Sequence, residues 1–114
     1  MPYIKTTTNK TVTDGEKRKL TTLLGKLIEK LPGKSEEWLM LSVEDGTYMA
    51  FRGEDGEYCA MIEVDVFGKT DTSACDELTE ALCDKVGELL GIRPDRIYVK
   101  YCGYEIWGYN RFNF

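Results

Sequence analysis

The sequence contains no histidine, only three prolines and no long apolar run. The absence of histidine excludes Ser-His-Asp and Cys-His catalysis, and most zinc sites that use imidazole ligands. No stretch approaches the roughly 20 apolar residues of a membrane-spanning helix. Residues 1–20 are polar and lack the apolar core of a secretory signal peptide. We therefore expect a cytoplasmic protein that does not bind membranes.

Positively charged residues are fewer than negatively charged ones. The 15 lysines and arginines are outnumbered by 20 acidic residues, which gives a formal net charge of −5. Such a chain is a poor candidate for binding a phosphate backbone, so we expect no nucleic acid partner. Its 114 residues, with 42% hydrophobic and 31% charged, are typical of one globular domain spanning 1–114. A chain this short buries a modest core, and oligomerisation would add to it.

The four cysteines form no C-x-x-C pair. Cys75 and Cys83 are eight residues apart, which would bring them near one face of a helix. An even cysteine count also suits disulfides in a secreted chain. Without a signal peptide we favour small apolar thiols in a reducing compartment. We expect neither a metal nor any other cofactor.

The first half of the chain alternates between strand and helix patterns. Thr13 and Glu16 form a capping box at the start of a helix. Leucines then recur at helical spacing until Pro32-Gly33 ends the pattern. The predicted elements of this half are strands over 3–8, 38–44 and 47–51, and one helix between the first two.

The second half repeats this order. Gly91, which ends the second helix, lies 58 positions after Gly33, and at the same offset Leu20 matches Leu78 and Ile4 matches Ile62. One offset without gaps predicts two tandem β-α-β units, at about 2–45 and 58–102. The predicted elements of this half are strands over 58–66 and 96–102, a helix between them, and a hairpin or strand extension over 103–114.

These units predict an α+β fold in which a four-stranded mixed sheet carries both helices on one face. The strands WLMLSV and YCAMIEV are interpreted as apolar on both sides, although two helices cover only one face. We therefore expect other subunits to cover the second face.

Several segments, in order and at matching spacing, resemble the macrophage migration inhibitory factor family across essentially the whole chain. The residues that carry the resemblance are MPYIKTTTN at the start, PGK at 32–34, MAFRG at 49–53, FGK at 67–69, IRPDRIYVKY at 92–101 and WGYN at 107–110. The resemblance implies a tautomerase fold and a homotrimer in which the sheets line a central barrel. It also implies active sites between subunits, each around an N-terminal proline. Family activities are keto–enol tautomerisation of phenylpyruvate-like acids and isomerisation of dopachrome.

Pro2 matches the family's catalytic base. Methionine is normally removed before a small residue such as proline, which would leave Pro2 with a terminal secondary amine. A free α-amino group titrates near 7.7–8.0. Apolar burial and a nearby cation would lower the pKa further, so that the amine is neutral and able to accept a proton. The alternative is that Pro2 only begins an edge strand.

The resemblance also implies a set of substrate-binding residues for a small aromatic 2-oxo acid. Lys34 matches a lysine that binds the carboxylate, and Phe67 matches a position, commonly aliphatic, whose backbone N–H holds the substrate. Tyr98 and Lys100 share one face of the last long strand, where the family often has asparagine at the second position. Lys100 would add a second cation beside the carboxylate, or could instead pair with a surface acid.

Two aromatic residues complete the expected site. Tyr109 aligns with an aromatic of the pocket wall, and Trp38 with one near the pocket mouth. Core or interface packing is the commoner role of such residues. Cys59 matches the first cysteine of a C-x-x-C that some family members have, but Ile62 replaces the second, which argues against a dithiol oxidoreductase.

A second class of function stays open at this point. Some animal members of the family act as cytokines, so the chain could bind a protein receptor through its surface while the tautomerase activity is vestigial. Family members leave cells without a signal peptide, so secretion by such a route is compatible with the sequence.

Overall fold

Four strands form one mixed sheet in the computed structural model, which describes residues 1–114. The strands are β1 (Pro2–Thr8), β2 (Met40–Glu44), β3 (Ala60–Phe67) and β4 (Ile97–Tyr104), in the spatial order β2-β1-β3-β4. β1 pairs with β2 in parallel and β3 with β4 in parallel, while β1 and β3 run antiparallel at the centre. The predicted α+β fold and tandem β-α-β repeat are confirmed.

Each parallel pair is joined by a helix with a defined start. Helix α1 (Asp14–Leu27) begins at the predicted capping box, in which Thr13 and Glu16 bond each other's backbone N–H groups. Its α-helical part ends earlier than the leucine pattern indicates, because a 3₁₀ turn over Ile28–Lys30 follows. Helix α2 (Thr72–Leu90) ends at Gly91, whose φ of 69° is the left-handed conformation that glycine adopts most readily. No helix is both long enough and apolar enough to cross a bilayer.

The core lies between the two helices and one face of the sheet. Alternate residues of β1 and β3 point into it, so their burial follows the two-residue period of a strand. The fully buried side chains include Ile4, Ile62, Val64, Leu20, Leu24, Leu78, Leu82 and Val86. Both helices therefore cover one face of the sheet, as the sequence predicts.

The other face of the sheet is mixed, because a central row of charges lies among apolar side chains such as Met40, Met61 and Tyr98. The expectation that the strands are apolar on both sides is therefore only partly correct. Lys5, Glu63 and Lys100 lie directly opposite one another on β1, β3 and β4. Lys100 forms a salt bridge with Glu63 at 3.2 Å, and Lys5 forms one with Glu44 at 3.4 Å. The apolar residues of WLMLSV and YCAMIEV are mostly those that point to the helices. We call this surface the open face.

The segment over 47–51 is a loop, so the short strand predicted there is wrong. Only an isolated bridge between Phe51 and Glu54 forms. The buried Arg96 side chain holds the following loop by donating from Nε to the Tyr58 carbonyl at 2.9 Å and from Nη2 to the Glu57 carbonyl at 3.3 Å. Arg96 thus fixes the loop that leads into β3.

Two further boundaries differ from the sequence pattern. The strand predicted over 38–44 begins at Met40, because a 3₁₀ turn occupies Glu36–Trp38. The tail forms both structures that the sequence allows. β4 extends to Tyr104, and a hairpin of β5 (Gly108–Tyr109) and β6 (Phe112–Asn113) follows. All four cysteines are free thiols.

Candidate functional site

The main cavity opens where β1 begins, beside the hairpin of the tail. Its volume is about 810 Å³, within the range of roughly 300–1,000 Å³ that is usual for small-molecule sites. The lining residues are Met1, Pro2, Tyr3, Glu37, Trp38, Leu39, Met40, Asp65, Tyr104, Ile106, Trp107, Gly108 and Tyr109. Three of the residues expected from the sequence, Pro2, Trp38 and Tyr109, therefore share one cavity.

Two orthogonal aromatic pairs form much of the cavity wall. The Trp38 and Tyr109 rings are 5.4 Å apart between centroids, at 84° to each other. The Tyr104 and Trp107 rings are 6.0 Å apart, at 69°. Edge-to-face contact of this kind is a favourable arrangement of aromatic rings. The tail hairpin and the 3₁₀ turn before β2 thus meet through aromatic side chains.

The start of β1 is held against the end of β3. Pro2 is buried and lies opposite Val66 in the sheet. The Phe67 N–H donates to the Met1 carbonyl at 3.1 Å. That carbonyl is bonded directly to the Pro2 nitrogen, so the Phe67 N–H points at the atoms that adjoin this nitrogen.

Lys34 lies beside the same end of the sheet. Gly33, with φ of 77°, turns the chain after α1, and the Lys34 N–H donates to the Leu31 carbonyl at 3.1 Å. The Lys34 Nζ donates to the Phe67 carbonyl at 2.9 Å. The ammonium is therefore anchored on the residue whose N–H contacts the chain start.

The environment of the chain start favours a neutral amine. Burial lowers the pKa of the Met1 amino group below its ordinary value of 8.0, and the positive charge of Lys34 lowers the pKa further. In the chain as it stands, the Pro2 nitrogen is an amide and has no basic lone pair. On removal of Met1 the terminal amine would move one residue inward, to the buried Pro2, with Lys34 still nearby.

Tyr98 and Lys100 are not brought to this cavity within one chain. Pro2 is level with Val66 and Gly103, whereas Tyr98 pairs with Met61. Five residues at about 3.3 Å each separate Tyr98 from the level of Pro2 along the strand, or roughly 16 Å. Lys100 is three residues away and pairs with Glu63, while the Tyr98 ring contacts Phe51 at 5.1 Å.

Sequence reasoning missed several residues of the cavity wall, among them Glu37, Asp65 and Tyr104. Asp65 lies two residues before Phe67 on β3, so the strand period alone indicates that both point to the open face. The position of Tyr104 in the cavity wall can be predicted only if β4 is known to extend past Cys102. Glu37 gives no such signal, because its position depends on the 3₁₀ turn. No cluster of cysteine, aspartate and glutamate side chains is arranged to hold a metal ion.

Comparison with known proteins gives one consistent family. The family model of macrophage migration inhibitory factor (MIF) matches residues 1–111. The crystal structure of Leishmania major MIF2 is 26% identical, with a TM-score of 0.92 over 100% of this chain and 97% of that chain. A MIF homologue from Prochlorococcus marinus is 27% identical, with a TM-score of 0.79 over 98% of both chains.

A third structure shares the fold. MIF of Toxoplasma gondii is 22% identical, with a TM-score of 0.84 over 98% of this chain and 99% of that chain. The agreement extends across nearly the full length of each chain, so these proteins share the overall fold.

Proposed function

Because the chain belongs to the macrophage migration inhibitory factor family, within the tautomerase superfamily, we propose that it is a cofactor-independent keto–enol tautomerase of phenylpyruvate-like or dopachrome-like acids. Its general base is the amine of Pro2 after removal of Met1. The observation that carries the proposal is the position of the chain start, which is buried, adjoins an aromatic cavity and lies near the Lys34 ammonium.

The proton transfer begins with the neutral Pro2 amine. Burial and the Lys34 charge both lower the pKa of the amine at the chain start, which favours the neutral form that a general base needs. The amine removes a proton from C3 of the 2-oxo acid, the carbon next to the ketone, and an enolate develops on the ketone oxygen. The prolinium then gives the proton to that oxygen to form the enol, and the reverse steps give the ketone.

Removal of Met1 frees a hydrogen-bond donor as well as the amine. The Phe67 N–H, now bonded to the Met1 carbonyl, loses its acceptor when that residue leaves. The vacated position adjoins the Pro2 nitrogen, where a substrate oxygen would lie during proton transfer. A backbone N–H aimed at a developing negative charge is a favourable stabilising group. The Met1 carbonyl thus stands in for the substrate oxygen.

Lys34 supplies the positive charge for the carboxylate or the enolate. Its anchoring on the Phe67 carbonyl limits the side-chain freedom that would be lost on binding, and charge-assisted hydrogen bonds are about twice as strong as neutral ones. The rings of Trp38 and Tyr109 provide an apolar wall for the aryl group.

A homotrimer would complete the site. Tyr98 and Lys100 lie too far along β4 to reach Pro2 of the same chain, so their proposed contacts with substrate require a neighbouring subunit. Exposed apolar side chains of the tail, including Ile106 and Phe112, which are 72% and 71% exposed, are candidates for burial in that interface.

The first test is intact-protein mass spectrometry of natively processed protein, with phenylpyruvate ketonisation measured on the same sample. We expect loss of Met1 together with turnover. Pro2→Gly should reduce kcat/KM by about 10²-fold and leave the oligomer unchanged, whereas the remote Pro94→Ala should retain turnover. Retained Met1, or loss of Met1 without turnover, would contradict the proposal and favour a binding function at the protein surface.

A further inference from the structure

The part of the cavity away from Lys34 is lined by aromatic rings. Trp38 and Tyr109 form one nearly perpendicular pair, and Tyr104 and Trp107 form another. All four border the same cavity. The face of an aromatic ring carries partial negative charge, and several such rings around one space attract ammonium groups.

Two carboxylates in the same wall have no partner in the chain. Glu37 and Asp65 both line the cavity. Every salt bridge and side-chain hydrogen bond of the structure involves other residues. No lysine or arginine lines this cavity. No cationic side chain of the protomer therefore compensates the negative charge of the wall, and the one basic group beside it is the amine of the chain start.

The effect of this charge is visible at a neighbouring hydroxyl. The pKa of Tyr104 is raised above its ordinary value, first by the Cys102 side chain and then by the negative charge of Asp65. Asp65 and Tyr104, which both line the cavity, are therefore close enough to interact electrostatically.

We infer that this aromatic and acidic wall, formed by Trp38, Tyr104, Trp107 and Tyr109 with Glu37 and Asp65, is a subsite for a cationic group. The ligand carries an ammonium group or a delocalised cation on its aryl end. One part of the inference rests on the proposed function, namely that the ligand is also a 2-oxo acid whose carboxylate lies near Lys34. The substrate would then be zwitterionic, and aryl acids with a second carboxylate would be disfavoured.

The size of the cavity agrees with this substrate class. At about 810 Å³ it is in the upper half of the usual range for small-molecule sites. This volume leaves room for a substituent beyond the phenyl ring of a simple arylpyruvate.

A binding experiment separates this inference from the proposed catalysis. The chain has two tryptophans, Trp38 and Trp107, and both line the cavity, so tryptophan fluorescence reports occupancy without turnover. The probes are 4-(trimethylammonio)benzyl alcohol and its neutral isostere 4-tert-butylbenzyl alcohol, titrated into processed protein in its native assembly. We expect the cation to bind at least about 10-fold more tightly.

Matched variants identify the cause. The double variant E37Q/D65N should reduce the preference for the cation to nearly none. The double variant E80Q/E88Q loses the same number of charges from the exposed surface of α2 and should retain the preference. Equal affinity for both probes, or an unchanged preference in E37Q/D65N, would overturn the inference.

The same samples are then assayed with phenylpyruvate. Absence of turnover together with a clear preference for the cation would reject the proposed function and retain the subsite. Turnover without a preference for the cation would retain the proposed function and reject the subsite.

Discussion

Lys34 shows how one turn residue can act on a distant chain end. A lysine after a helix is usually a solvated side chain, and the turn position of Lys34 alone does not distinguish it from such a residue. In the folded chain it bonds the Phe67 carbonyl and lowers the pKa of the amine at the chain start. The residue thus joins the end of α1, the end of β3 and the start of β1 at one point.

Replacement of Lys34 by methionine should raise the pKa of the Pro2 amine. The base is active when neutral, so kcat/KM rises as the pH increases through this pKa. Without the neighbouring positive charge the protonated amine is less disfavoured, and the midpoint should move to higher pH by about half a unit or more. An NMR titration of ¹⁵N-labelled Pro2 measures the change independently of substrate binding.

The exposed Lys19 in the first half of α1 supplies the control, because Lys19→Met removes an equal charge and this half of the helix follows the end of β1 rather than its start. Its midpoint should match that of the unmodified protein. An unchanged midpoint in Lys34→Met would mean that burial alone lowers the pKa of the amine.

At the scale of single residues, Pro2 and Lys34 could be predicted because they lie within sequence segments that match the family. Glu37 could not, because its position in the cavity depends on a 3₁₀ turn and on the tail hairpin that packs against the neighbouring Trp38. A carboxylate in a polar segment carries no signal that an aromatic wall will fold beside it.

The secondary-structure elements follow local sequence rules where their ends have side-chain caps. Thr13 accepts from the Glu16 N–H at 3.1 Å, and Glu16 accepts from the Thr13 N–H at 3.0 Å. These contacts need only residues three apart, so the start of α1 was predictable from the sequence.

Thr13→Ala should lower the free energy of unfolding by about 1 kcal/mol, because the first turn of α1 then has an unsatisfied N–H group. Urea unfolding followed by circular dichroism measures the loss. Thr21→Ala, on the exposed surface of the same helix, should change stability much less, since alanine has the higher helix propensity. Equal losses in the two variants would argue against a capping contribution.

Elements that depend on partners distant in sequence are harder to predict from local sequence rules. The pattern over 47–51 is compatible with a strand, yet Arg96, about 40 residues away in sequence, binds the carbonyls of the adjoining loop instead. The cation of Arg96 also lies 5.3 Å from the Phe51 ring. Contacts of this kind between residues far apart in sequence are not contained in any local rule, so the loop could not be predicted from the pattern over 47–51.

On the scale of the whole molecule, the proposed site residues form two groups at different levels of the sheet. Pro2, Lys34 and Phe67 meet where β1 begins. Tyr98 and Lys100 lie five and three residues away from that level along β4. If both groups contact one substrate, each site must combine residues from two subunits.

Mixing two inactive variants tests this arrangement. Pro2→Gly chains and Tyr98→Ala/Lys100→Ala chains, unfolded together and refolded at equal concentration, should regain about a quarter of the unmodified turnover. Random assembly of a cyclic oligomer leaves this share of interfaces intact. Each variant refolded alone provides the baseline, and a mixture that stays at that baseline would show that the two groups do not share a site.

The alternating charges of the open face have a consequence for sequence evolution. Glu44, Lys5, Glu63 and Lys100 follow one another across all four strands, and two salt bridges join them in pairs. Reversal of one charge would place like charges on adjacent strands, which is destabilising. Substitutions at these positions should therefore be inherited together, so that positions 5 and 44, and positions 63 and 100, co-vary among relatives of this chain.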